Sequence, residues 1–308
     1  MNIRETQDAA AVIAGWHDRP APPPPGPLDN ALTIDVEDYF QVEAFFDVIN
    51  REDWAGLECR VERNIDLILD LLAGAQARAT FFTLAWIAQR YPAMTRRIVD
   101  NGHELASHGL DHRRADRQSR LEFQADVIQA RQTLEDLGGC AVKGYRAPSF
   151  SVMEQNLWAL EALAEAGYLY SSSTYPISHD NYGIPSAPRF AFHPLPGQSF
   201  LEIPVTSTRW LGRNFPCGGG GYFRLLPYRF SAAALHRVNR REGRPCVFYF
   251  HPWELDPGQP RVTQARWRSK ARHYLNLHRM QPRLRRLLDG FRWRRMDEIF
   301  IPQRTGES

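Results

Sequence analysis

The chain has 308 residues, enough for one large α/β barrel with a sizeable buried core. Its 43% hydrophobic and 24% charged residues are ordinary for a globular protein, which excludes a collagen-like or disordered chain. The net charge of +3, from 38 basic and 35 acidic side chains, gives no reason to expect nucleic acid as a partner.

The first twenty residues, MNIRETQDAAAVIAGWHDRP, hold only a short apolar run, AAAVIAGW, preceded by acids. That is a poor signal peptide, and no apolar run reaches the roughly 18 residues of a membrane span. The expectation is a cytoplasmic protein with no membrane span, associated with a membrane only through an export complex. RPAPPPPGPL (19–28) can be neither helix nor central strand. Residues 1–28 therefore read as a proline-rich arm, loosely placed or draped on the surface, whose removal should cost little stability.

From there the chain alternates. ALTIDV (31–36) is a β-leaning apolar run, and 60–73 has apolar residues at helical spacing. RATFFTL (78–84) reads as strand, 92–101 as helix stopped by Gly102, and HELASH (103–108) as strand running into a loop. Residues 119–137 form an amphipathic helix stopped by Gly138-Gly139. VKGYRAP is a strand, 154–166 a helix, and LEIPV (201–205) and CVFYF (246–250) are further strands. Such alternation predicts parallel βαβ units, as a barrel or an open sheet. Cys59, Cys140, Cys217 and Cys246 are widely and irregularly spaced, as buried free thiols rather than a disulfide framework or zinc knuckle. The Arg-rich stretch from Arg261 to Arg295 reads as the solvated face of terminal helices, or as a patch for an anionic polymer or membrane surface.

The ionisable residues of interest all follow strands. Asp35, Glu37 and Asp38 end the first, His108 and His112 follow the third, Arg146 ends the fourth, and His251 ends VFYF. In parallel α/β folds the C-terminal strand ends form the face that carries the site. His108 and His112, four apart, can face one cation from a helical turn or a tight loop. The spacing alone would equally suit one surface and one hydrogen-bonded histidine. HELASH is not a zinc-protease helix, because His103 and His108 are five apart. Three carboxylates in four residues repel one another unless a cation or donors compensate, although a solvated loop would tolerate them. Two histidines with one carboxylate make an N,N,O set that leaves positions open on a divalent metal, the pattern of a hydrolytic site. A remaining carboxylate can then act as general base.

At this point the chain resembles the NodB-homology polysaccharide deacetylases, the fourth family of carbohydrate esterases. TIDVED, SHGLDH, GYRAPSFS and VFYFHP occur in that family's motif order. HDNYGIPSAPR, GGGGYFRLLPY and FHPWELDPGQPR resemble a subgroup that accompanies exosortase-linked exopolysaccharide loci in bacteria. The resemblance implies a distorted (β/α) barrel over 29–255, followed by a family-specific extension over 256–308 packed on it. It implies an N-acetylated polysaccharide or oligosaccharide as substrate. Asp35 takes the place of the general base, Arg146 of the arginine that holds it, and His251 of the acid that protonates the leaving amine. His108 and His112 match the metal ligands, with Glu37 or Asp38 as the third, because Val36 fills the usual position. Zinc suits this set, with nickel, cobalt and iron left open. Tyr145, Pro148 and Phe150 would line the groove, with Gly220, Tyr222 and Trp253 also on the substrate side. CGGGGYF lacks the GK[ST] of a phosphate loop and would let backbone approach a bulky substrate or simply build a loop. One departure stands out: Tyr170-Ser171-Ser172-Ser173 replaces the usual YDSS, so the aspartate that tunes the acid histidine is missing, leaving Asp180 or Asp256 as replacements.

Overall fold

The structure is a computed structural model and describes residues 9–18 and 28–301. In chain order the helices are α1 (Ala9–Ala14), α2 (Val61–Gly74), α3 (Ala85–Arg90), α4 (Pro92–Asp100), α5 (Arg120–Gly138), α6 (Trp158–Glu165), α7 (Gly220–Leu225), α8 (Tyr228–Glu242), α9 (Trp267–Tyr274), α10 (Met280–Gly290) and α11 (Met296–Phe300). The strands are β1 (Asp29–Val36), β2 (Thr80–Thr83), β3 (Glu104–Ser107), β4 (Gly144–Tyr145), β5 (Tyr170–Ser171), β6 (Leu201–Glu202), β7 (Ser207–Trp210), β8 (Arg213–Pro216), β9 (Val247–Phe250) and β10 (Arg292–Arg294).

A parallel sheet runs β1-β2-β3-β4-β5-β6, with β9 and β10 also paired to β1. It curls into the incomplete (β/α) barrel expected. The seam between β6 and β9 is closed by loop backbone rather than by a regular strand pair. Thr206 N donates to Val247 O, Tyr249 N to Gly218 O, and Gly218 N to Thr206 O. Gly218 and Gly219 lie in this seam because side chains would not fit there. A Cβ on Gly219 would overlap the Tyr249 ring, and one on Gly218 would overlap the Val247 carbonyl.

Strand alternation sorts the residues by face. Leu32, Ile34 and Val36 point outward into the cluster shared with α2, α8 and α10, as do Phe248 and Phe250. Ala31, Phe82, Ala106, Tyr170, Leu201 and Val247 fill the barrel interior. Asp35, His108, Arg146, Ser172 and His251 share parity with that inward set and lie just past it, at the C-terminal rim. This alternation also corrects one expectation. Tyr145 does not line a groove: it points outward, 1% exposed, edge-on to Phe123 and Tyr168 beneath α5.

Helix ends follow their local chemistry. Ser119 and Glu122 form a reciprocal capping box at the start of α5, and Gly139 ends it at φ 68°. The extension is more than a cover on the barrel, because its short strand β10 joins the main sheet beside β1. No helix among the described residues is long and apolar enough to cross a membrane.

The N-terminal expectation needs correcting in part. Residues 1–8 and 19–27 lie outside the described residues, but 9–18 do pack. Ile13 and Trp16 are buried in the cluster that includes Leu160, Phe192 and Leu195. The Trp16 ring lies 4.8 Å from that of Phe192, and its Nε1 donates to Pro194 O at 3.1 Å. A tryptophan buries more apolar area than the proline run next to it suggests. Trp16→Ala should therefore lower unfolding stability by roughly 3 kcal/mol, a large-to-small core substitution. Urea unfolding of both proteins checks this, and unchanged stability would return 9–18 to the surface-arm description.

Candidate metal centre

Four strand ends converge on one rim. Asp35 and Glu37 leave β1 on the same face, two residues apart, with Glu37 N donating back to Asp35 O. His108 follows β3 directly. His112 arrives through a tight loop rather than a helix, with Gly109 at φ 83° and His112 itself at φ 63°. A left-handed backbone is costly for a residue with a Cβ and persists only where surrounding contacts impose it. Beneath the loop, Asp126 on α5 accepts a bond from Leu110 N at 3.0 Å.

Glu37, His108 and His112 offer donor atoms that all lie within 4.8 Å of one another. His112 Nε2 is 2.6 Å from Glu37 Oε2. His108 Nδ1 donates to the Arg146 carbonyl at 2.8 Å, which fixes the tautomer and leaves a lone pair on Nε2. That Nε2 is buried and has no hydrogen-bond partner among the described residues. Burial brings the His108 imidazolium down to about 4 despite the pull of Asp35, so the ring is neutral near pH 7. Burial pushes the Glu37 carboxyl up, but the charges of His112 and His251 outweigh it and bring it down to about 2. A neutral imidazole with an orphaned nitrogen, a second imidazole and an ionised carboxylate are the donors a divalent cation takes, so these residues fit one.

Asp38 does not join them. Its carboxylate accepts from Tyr39 N, Cys59 Sγ, Arg60 N and Val61 N, and so satisfies the start of α2. Of the two carboxylates, Glu37 is the one whose oxygen groups with the ring nitrogens of His108 and His112.

Asp35 and Arg146 form a buried pair, Oδ1 to Nη1 at 2.6 Å. The guanidinium also donates to Thr33 Oγ1, Ser172 O and Ser172 Oγ, and lies 4.2 Å from the centre of the Phe82 ring. Asp35 Oδ2 is left facing the rim, 4.0 Å from His251 Nε2, and that nitrogen is 3.4 Å from Glu37 Oε1. Burial pulls the His251 imidazolium down, but Glu37, Glu254 and Asp35 outweigh it and lift it to about 9.

The remaining expected positions divide. Trp253 stacks on His251 at 5.1 Å and donates Nε1 to Glu37, so it walls the centre. Phe150 is buried among Tyr175, Tyr182 and Tyr249, and Pro148 is buried beside it. Tyr222 is half-buried on α7. Gly220 faces not an open groove but the carboxylate of Glu254. Neither Asp180 nor Asp256 reaches His251 as a replacement partner: Asp180 pairs with Arg272 and Asp256 with Arg60. Sequence reasoning missed Glu254, although its i+3 spacing from His251 within HPWE was a usable signal.

The loop that carries His112 provides a pH test. Burial lifts the Asp126 carboxyl to about 7, with Asp111 adding to it and the Leu110 N–H opposing. Its folded value lies above the unfolded one. The associated stability is therefore complete below about pH 4 and is lost as pH rises through about 7. At about 1.4 kcal/mol per unit, the share of this carboxyl in the stability lost between about pH 5 and about pH 8 should be on the order of 1–3 kcal/mol. Asp126→Asn should flatten that slope in urea unfolding, and an unchanged slope would refute it.

Residues 45–171 match the family described as polysaccharide deacetylase, and residues 172–301 match one described as a domain of unknown function, DUF3473. A peptidoglycan-N-acetylglucosamine deacetylase of Bacillus cereus is 33% identical over 95 residues, 30% of this chain and 34% of that protein. A chitooligosaccharide deacetylase of Sinorhizobium fredii is 32% identical over 82 residues, 26% of this chain and 38% of that protein. The chain thus spans about a third of the length of the curated relatives it matches. A crystal structure from Mycobacterium smegmatis assigned to the polysaccharide deacetylases superposes with TM-score 0.53 at 18% identity, covering 89% of this chain and 90% of that one. An allantoinase superposes with TM-score 0.55 at 15% identity, covering 88% of each. Both share the fold. The boundary between the two matched families falls inside the parallel sheet, so the second contributes β6, β9 and His251 to the rim.

Proposed function

We infer that this chain is a NodB-homology polysaccharide deacetylase, and that it removes N-acetyl groups from amino sugars of a bacterial exopolysaccharide or its precursor with the help of a divalent metal. The observation that carries the reading is the orphaned, buried Nε2 of His108. It sits with Glu37 and His112 opposite a carboxylate held by Arg146 and an imidazole. The named deacetylase relatives support the reaction class. The exopolysaccharide substrate rests on the resemblance of the tail segments to the exosortase-linked subgroup.

His108, His112 and Glu37 would hold the cation, and zinc suits the set. When bound, it supplies Lewis-acid polarisation of the acetamide carbonyl and of the attacking water. Arg146 occupies Oδ1 of Asp35, which leaves Oδ2 to take the proton from water as the water oxygen bonds to the carbonyl carbon. His251 Nε2 then gives its proton to the nitrogen as the C–N bond breaks. One water is consumed, and the products are acetate and the free amino sugar. Proton exchange with solvent resets Asp35 and His251.

The test is metal analysis of the purified protein together with acetate release from N-acetylated glucosamine oligomers and from an N-acetylated exopolysaccharide. About one metal per chain, with acetate release that a chelator abolishes, is expected. Metal-loaded protein that releases acetate from no N-acetylated glycan would overturn the reading and leave a glycan-binding protein or a non-sugar amidase.

A further inference from the structure

We propose that Glu254 is the positioning residue for His251, standing in for the aspartate replaced by Ser171, and that Arg224 and Gly220 hold it there. The inference rests on His251 being the acid of the proposed reaction.

Glu254 Oε1 lies 2.8 Å from His251 Nδ1 and also accepts the His251 backbone N–H at 3.1 Å. The same side chain therefore fixes both the backbone and the ring of His251. A carboxylate on Nδ1 keeps a proton on that nitrogen in both charge states of the ring. The transferable proton is then the one on Nε2, the atom that faces Asp35 and Glu37. The positions the sequence offered instead are engaged elsewhere. Ser171 Oγ donates to Ser173 Oγ, and Asp180 and Asp256 pair with arginines.

Two further features are built around this carboxylate. Arg224, 2% exposed, donates Nε to Glu254 Oε2 at 2.6 Å. Its other N–H groups go to the carbonyls of Arg272, His273 and Leu275, tying α7 to the end of α9. Gly220 lies against the other side. A Cβ there would overlap both carboxylate oxygens and Cδ of Glu254. The chain thus spends a glycine on making room for Glu254 and a buried arginine on aiming it. A carboxylate serving only to fill space would need neither.

The test compares wild type with Glu254→Gln, with Gly220→Ala, which displaces the carboxylate without removing it, and with Glu254→Gln/Arg224→Met, which avoids leaving the arginine charge buried alone. On an N-acetylglucosamine oligomer, kcat should fall about 10–10²-fold in all three with KM little changed, the scale of a misdirected general acid. On an aryl acetate, whose leaving group needs no proton, the loss should be at least tenfold smaller. In nitrogen-15 histidine spectra assigned with His251→Ala, the downfield Nδ1–H signal of His251 should vanish or move upfield in Glu254→Gln. Equal losses on amide and ester, or an unmoved Nδ1–H signal, would overturn the inference. Should wild type release no acetate from any N-acetylated glycan, the deacetylase reading fails, and the spectra still decide the Glu254–His251 contact.

Discussion

Replacing His108 and His112 together with alanine should empty the proposed metal centre and abolish the proposed acetate release while the fold persists. Two of the three proposed ligands go, and a lone carboxylate does not hold a divalent ion tightly. Metal-assisted polarisation is worth several kcal/mol of barrier, so the loss should be on the order of 10³-fold or more. The stability cost is smaller. The double variant forfeits the His108 bond to the Arg146 carbonyl, about 1–3 kcal/mol for a buried acceptor left unpaired, and it also removes a buried nitrogen that has no partner of its own. Elemental analysis beside a thermal melt separates the two effects. Undiminished metal in a folded double variant would place the site elsewhere, and an unfolded one would call for the single variants.

Much of this centre was legible because strand alternation and strand ends are sequence properties. Asp35 falls on the same face as Ala31 and Thr33 by period two, and His251 on the same face as Val247 and Tyr249. The apolar runs of β1 and β9 announce themselves, whereas β4, β5 and β6 are two residues long and set by pairing rather than composition. β10 was hidden for a different reason. Its sequence Arg-Trp-Arg reads as surface, yet Trp293 is 2% exposed and anchors the strand beside β1. Asp38 misled because its partners, Cys59 to Val61, lie more than twenty residues away and bind through the Cys59 thiol and the backbone N–H groups of Arg60 and Val61, which no local side-chain pattern encodes. Tyr145 is placed in the groove by the resemblance alone, whereas its neighbour Arg146 faces the rim and adjacent strand residues point to opposite sides. The glycine run reads equally as a substrate approach or a plain loop until what lies against it is known. It closes the β6–β9 seam and gives way to Glu254.

Asp35→Asn and His251→Ala should separate the base from the acid. Asparagine keeps the size of Asp35 and can still accept from Arg146 Nη1, but it cannot take up a proton from water. A general acid–base role is typically worth roughly 10²–10⁴-fold, so each variant should lose activity on that scale against an N-acetylated glycan. The metal should stay in both, because neither side chain belongs to the His108–His112–Glu37 group. The substrates tell the two apart. An aryl acetate expels a phenoxide that leaves without protonation, so His251→Ala should lose far less on the ester than on the amide. Asp35→Asn should fail on both, since water must still be deprotonated. Asp35→Asn also leaves the buried Arg146 charge uncompensated, which costs on the order of 3–5 kcal/mol when a buried pair is broken outright. Here the cost should be smaller, because Thr33 and Ser172 still accept from the guanidinium. Rates are therefore compared at a temperature where both variants are folded by circular dichroism. Equal losses of His251→Ala on ester and amide would end its assignment as the acid. Loss of metal from Asp35→Asn would make Asp35 a ligand, and Glu37, the other carboxylate near His251 Nε2 among the described residues, would then be the base to test.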